Sequence, residues 1–245
     1  MQGGGPAMLG HSHATSGGLA WAAAATTLPM SVLAYPAMHG STAHIQAKDL
    51  IFGTFITAGA ALLPDIDHPN GTIAHSMGPI THTLTKGVSK ISGGHRHATH
   101  SLAFVAGVAY GTWAGEKYLG RYFTLSLVFF MLVLAVRALN LCPPGEKLDA
   151  YGPCVLLAGG GTVLMDRWIA SAPSWLPFAM GLGALTHLAG DCLTDHGCRL
   201  FWPFTFRTGI PIIQRTGNRV ETWFLAPAMA IGCAVLLYVK TSSKP

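Results

Sequence analysis

The chain has 245 residues, 50% of them hydrophobic and only 10% charged. A soluble domain carries about 25% charged residues, so this composition excludes an ordinary soluble globular protein and points to a membrane protein. The net charge of +5 comes from Lys and Arg scattered through the polar connections. Without an aromatic-interleaved basic stripe, they exclude a nucleic-acid partner and read as topology determinants and contacts for anionic headgroups.

A membrane-crossing helix needs about 20 mostly apolar residues. Residues 1–10 are a Gly-rich lead, expected to be flexible. No basic n-region precedes the first apolar run, so that run is expected to be retained rather than cleaved. Segment one covers about 17–38, and the short segment two covers 47–63 and stops at Pro64. Residues 64–98 are a polar connection, with a short interfacial helix predicted over 80–91. Segment three covers 99–116 and segment four covers 122–141, before Pro143-Pro144-Gly145 breaks the chain. Segment five, 151–165, is short and contains Gly159-Gly160-Gly161. Segment six covers 175–193, residues 194–220 form a second polar connection, and segment seven covers 222–239. The prediction is one integral-membrane domain over residues 1–245, all-α and polytopic, with six or seven spans.

Three clusters break the apolar pattern. Asp65, Asp67 and His68 directly follow segment two, bracketed by Pro64 and Pro69. Carboxylates beside an apolar phase are costly unless paired or metal-bound, and the flanking prolines stiffen their geometry. His95, Arg96, His97 and His100 open segment three. His187 and Asp191, four residues apart near the end of segment six, share one helix face. A fourth pair, His11 and His13, precedes segment one. If all seven segments cross, the four clusters share one membrane face, the face of the N-terminus. Their convergence gives a mixed nitrogen and oxygen ligand set, suited to Zn²⁺, Mn²⁺ or non-haem iron rather than to a thiolate site, with room for one or two ions. The five cysteines, Cys142, Cys154, Cys192, Cys198 and Cys233, are an odd number without a CxxC pair, and read as small, weakly polar residues in or near the helices. Nine of the fifteen Lys and Arg fall on the face that carries the clusters, so the positive-inside rule predicts a cytoplasmic N-terminus and a cytoplasmic site.

In order and character, His13-Ala14-Thr15-Ser16-Gly17, Leu63-Pro64-Asp65-Ile66-Asp67-His68-Pro69, Gly94-His95-Arg96 with Thr99-His100-Ser101, and His187, Asp191, Thr194, Gly197 and Trp202-Pro203-Phe204 resemble the bacterial inner-membrane metal-dependent hydrolases of the YdjM type, LexA-regulated membrane proteins. The resemblance runs from about residue 11 to 205. It implies a multi-pass inner-membrane protein and a metal-dependent hydrolase. Position by position it implies His13, Asp65, Asp67, His68, His95, His100, His187 and Asp191 as the metal-site residues. His97 stands where the family pattern leads one to expect a small residue.

From the residues themselves, Asp65, His68, His100, His187 and Asp191 are the foremost ligands, Asp67 or His95 the general base, and Arg96 a fork for phosphate. A site at the membrane face predicts a lipid or lipid-linked phosphoester as substrate, entering sideways from the bilayer. The alternative is a non-enzymatic metal-binding membrane protein, either a scaffold for a stress-response partner or a transporter. A transporter should carry ionisable groups near the midplane, whereas here they gather at one end.

Overall fold

The computed structural model describes residues 9–34, 45–93, 96–143, 148–169, 173–194, 197–210 and 221–242. Its helices are α1 (Leu9–Thr27), α2 (Met30–Leu33), α3 (Ala47–Ala60), α4 (Pro79–Ser92), α5 (Leu102–Leu119), α6 (Arg121–Ala138), α7 (Leu148–Trp168), α8 (Leu176–Cys192) and α9 (Ala226–Ser242). Short 3-10 turns follow α3 (Leu63–Asp67) and precede α5 (Ala98–His100), and a π turn (Glu221–Leu225) leads into α9. The described residues form no strand beyond one isolated bridge between Cys198 and Thr208. Three stretches, Ala47–Asp67, Arg121–Ala138 and Trp223–Ser242, are long and apolar enough to cross a membrane.

Local sequence sets the helix ends. Pro79 opens α4 and Gly93, at φ +83°, closes it, the usual placement of these two residues. The Ser101 hydroxyl accepts the Phe104 amide and caps α5. Gly120, at φ +68°, ends α5 and starts α6 in a single residue, a backbone geometry that a Cβ would disfavour.

The seven predicted segments correspond to α1, α3 and α5–α9. The short helix expected over 80–91 is α4, which packs on the 3-10 turn after α3. α1 differs most from expectation: it begins by Leu9 and ends at Thr27, two residues before Pro29. Gly10 is therefore helical rather than part of a lead, and His11 and His13, expected to precede segment one, lie within the helix. Their polarity dilutes any hydropathy window, but Thr15 and Ser16 satisfy their hydroxyls on the His11 and His13 carbonyls, as such residues do inside helices.

α3 occupies the middle, flanked by α1, α6 and α8; α5 lies beside α8, α7 beside α6 and α9 beside α1. Glycines set the closest approaches. A Cβ on Gly17 of α1 would stand 2.7 Å from the Thr57 carbonyl of α3, and one on Gly183 of α8 would stand 2.6 Å from the same carbonyl. Two helices thus meet α3 backbone to backbone at Thr57–Ala61, the packing that small residues permit.

Polar contacts fix the two ends. At one end, Lys48 donates to the Trp168 carbonyl, Trp175 donates to Asp49, and Arg121 pairs with Asp166. At the other, His11 bonds the Ala138 carbonyl at the close of α6. α6 therefore ends, and α7 starts, at the end that holds His11. α7 has 21 residues, about 31 Å at 1.5 Å per residue, and returns the chain to the opposite end. The helical segment five accordingly runs the full length of the bundle, and α8 comes back to finish beside His11 and His13.

Candidate metal centre

The contact at Thr57–Ala61 positions the site. His13 lies four residues before Gly17, His187 four residues after Gly183, and Asp65 four residues after Ala61. Each of three elements thus presents its polar side chain about one helical turn from the place where the backbones touch. The 3-10 turn Ala98–His100, bonded into the fold ahead of α5, adds His100 from the fourth side.

His100 Nε2 is 3.6 Å from Asp65 Oδ1 and 3.3 Å from Asp191 Oδ2. His187 Nε2 is 3.6 Å from the same Asp65 oxygen and 3.7 Å from the same Asp191 oxygen. His100 and His187 are fully buried and Asp191 is 2% exposed. His187 Nε2 and Asp191 Oδ2 are buried with no hydrogen-bond partner, an arrangement that costs about 1–3 kcal/mol per neutral group and more for a charged one. A tetrahedral ion with bonds of about 2.0–2.1 Å places its ligand atoms about 3.3–3.4 Å apart. The four nitrogen-to-oxygen distances here, 3.3–3.7 Å, are of that size. This structure contains buried His and Asp groups that can hold a metal ion: Asp65 with His100 and His187, and His13 with His187 and Asp191.

Neighbouring groups hold these ligands in orientation. His187 Nδ1 meets the Ala61 carbonyl at 2.7 Å; it donates there, which leaves Nε2 with its lone pair toward the centre. Behind His100, the Thr99 hydroxyl donates to Asp67 Oδ2 at 2.5 Å and lies 3.1 Å from His100 Nδ1. Asp67 itself stands 3.7 Å from His100 Nδ1. Outer partners of this kind fix the ring and raise ligand basicity. Arg96, at φ +63°, reaches Asp191 Oδ1 at 3.1 Å and Thr194 at 3.4 Å. Its guanidinium pairs with Asp191 Oδ1, the oxygen that His13 also faces. His13 stacks on His187 at 3.8 Å between ring centres and places Nε2 3.6 Å from Asp191 Oδ1. Burial alone would hold His100 in its neutral form, but the carboxylates of Asp191 and Asp65 beside it outweigh burial and push its pKa up to about 9.

The structure therefore brings His13, Asp65, Arg96, His100, His187 and Asp191 together, and among the described residues it sets Asp67, His68 and His11 apart from them. Asp67 stands behind His100 rather than among the atoms facing the centre. At three residues per 3-10 turn, side chains two apart diverge by about 120°, so Asp65 and Asp67 cannot face one point. His68 belongs to neither metal-competent group among the described residues; the backbone becomes extended there (φ −103°, ψ 100°) and carries its ring toward Gly71. His95 lies outside the described residues. His11 serves as the α1–α6 contact. Sequence reasoning missed Thr99 as the link between Asp67 and His100, although it stands in the quoted motif, and it missed the Ala61 carbonyl, which no side-chain pattern can reveal.

A cavity of about 340 Å³ opens beside the centre between α1, α8 and the start of α9. Ser12, Ser16, Ala189, Leu225 and Met229 line it, and His13 and Asp191 form its polar edge.

Helical membrane architecture around a buried His and Asp centre defines the class: an integral membrane protein with a metal-competent site at one end of its bundle. The chain belongs to the YdjM inner membrane protein family, whose model matches residues 8–243. It is 27% identical over 161 residues to inner membrane protein YdjM of Escherichia coli (strain K12), and to the same degree to inner membrane protein YdjM of Shigella flexneri. Each alignment covers 65% of this chain and 54% of the relative, so the chain spans about half the length of the curated relatives it matches. No solved structure matches.

Proposed function

We propose that the protein is a metal-dependent hydrolase of a lipid or lipid-linked phosphoester, with Zn²⁺ or Mn²⁺ held by Asp65, His100, His187 and Asp191. The observation that carries this reading is the pair of buried, unpartnered atoms, His187 Nε2 and Asp191 Oδ2, aimed at the point that Asp65 and His100 also face. A divalent ion held there would supply Lewis-acid polarisation of an ester or phosphoryl oxygen and would acidify water near neutral pH.

The chain's own residues supply the rest. Asp67, through Thr99, holds the His100 ring in its productive orientation. His13 is the imidazole that borders both the centre and the apolar cavity, so its Nε2 is placed to take a proton from an attacking water. Arg96 holds Asp191 in place and adds positive charge for an anionic substrate. The apolar cavity wall of Leu225, Met229 and Ala189 suits a hydrocarbon chain whose ester lies at His13 and Asp191. A transporter reading is disfavoured, because the metal-competent groups lie at one end of the bundle, beside the close of α6 and α8.

The test is hydrolysis of defined phospholipid and lipid-phosphate substrates by the purified, detergent-solubilised protein, with and without a chelator. Chelation is expected to abolish turnover, and Zn²⁺ or Mn²⁺ to restore it. A metal-loaded protein with no turnover on any of these substrates would leave the non-enzymatic metal-binding reading as the better one.

A further inference from the structure

Two pairs of cysteines lie at the end of the bundle that holds the metal centre. Cys142, four residues past the close of α6, is disulfide-bonded to Cys154 in the first turns of α7. The second pair is closer to the chemistry. Cys192 is the last residue of α8, directly after the ligand Asp191, and its Sγ stands 2.6 Å from that of Cys198. A disulfide bond is about 2.05 Å long, so closing it needs a movement of about 0.5 Å.

The backbone already holds both cysteines in place. Cys198 exchanges two hydrogen bonds with Thr208, and the Ile210 amide donates to the Cys192 carbonyl. A Cβ on Gly197, at φ +54°, would stand 2.7 Å from the Thr208 carbonyl, so the turn that brings Cys198 back to α8 is tightly packed. The same loop reaches α5, where Leu102 donates to the Leu200 carbonyl. Residues 197–210 therefore lie across the end of the bundle, with the cysteine pair as their tie to α8.

We propose that Cys192 and Cys198 form a disulfide in the mature protein, and that the site-bearing face lies on the oxidising, extracytoplasmic side of the inner membrane. Formation is thiol–disulfide exchange with a protein disulfide oxidant. The two thiols lose two protons and two electrons as the Cys192–Cys198 bond forms, and the oxidant's disulfide accepts them and becomes a dithiol. Disulfides persist in the periplasm and are rare in the cytosol, so the closed Cys142–Cys154 pair and a second pair with its sulfurs 2.6 Å apart on the same face are a compartment signature. That signature outweighs the Lys and Arg bias of nine against six. The covalent tie would fix the loop to the residue next to Asp191. The inference stands apart from the hydrolase reading, since neither arm of its test measures turnover.

The test uses intact cells expressing the full chain. Thiols are first trapped by acid quench and a permeant maleimide, which prevents oxidation during lysis; peptides are then examined by mass spectrometry. The expected product is a Cys192–Cys198 linked peptide, about 2 Da lighter than its two thiols, that accepts maleimide only after reduction. A second arm places Thr205→Cys, on the exposed part of the loop, in a Cys233→Ser chain and adds an impermeant maleimide to spheroplasts. Labelling before the cells are opened is expected. Free Cys192 and Cys198 thiols in quenched cells, or Thr205→Cys labelling only after lysis, would overturn the proposal.

Discussion

Asp65 and Asp67 stand two residues apart on one 3-10 turn, and they meet His100 at opposite ring nitrogens. This separation assigns them different consequences. Asp65→Asn removes a charge from the centre and is expected to abolish stable metal binding. Asp67→Asn leaves all four facing atoms in place but weakens the hold on His100, and should lower metal affinity by about 10–100-fold; competition with a chromophoric chelator distinguishes the two. His68→Ala is expected to bind metal as the wild type does. The motif made all three residues visible in the sequence, but their roles depended on the turn geometry, which composition does not encode.

His100 adds a pH dependence at the same scale. In the metal-free protein Asp191 and Asp65 raise its pKa to about 9, so its imidazole is protonated at neutral pH. A ligand must be neutral, so metal uptake at pH 7 must expel this proton. Affinity should therefore fall by about tenfold for each unit that pH drops below 9. Titration calorimetry in buffers of different ionisation enthalpy would show the proton released. A net uptake of zero protons would contradict the assigned role of His100.

At the scale of helices, the site depends on how closely α1 and α8 approach α3. Gly183→Ala would place a methyl 2.6 Å from the Thr57 carbonyl and 2.8 Å from the Ala61 amide. Both obstacles are backbone, so the helices must part; the cost is about 1–3 kcal/mol, and His187 and Asp65 should separate. Lowered thermal stability in detergent together with reduced metal affinity is the expected result. Gly159→Ala on α7, where a Cβ meets nothing within 4 Å, is the control and should change neither. Seven helices were legible as apolar runs. The start of α1 was not, because His11, His13, Thr15 and Ser16 look like loop residues until their backbone and buried partners are known. The glycine contacts were also hidden, since a glycine in an apolar run does not say which neighbour it meets.

For the whole molecule, the alternation of α6, α7 and α8 between two ends gathers residues from positions 13 to 191 at one place. The shared face was legible in the sequence once segment five was taken to cross. The partnerships within that face were not legible: Arg96 with Asp191, and Cys142 with Cys154, depend on loop paths that follow no periodicity. The most direct measurement is elemental analysis of the purified protein beside Asp65→Asn, His187→Ala and His68→Ala. One equivalent of Zn or Mn per chain is expected in the wild type and in His68→Ala, with loss in the other two. Full metal occupancy in Asp65→Asn and His187→Ala would show that the ion lies elsewhere.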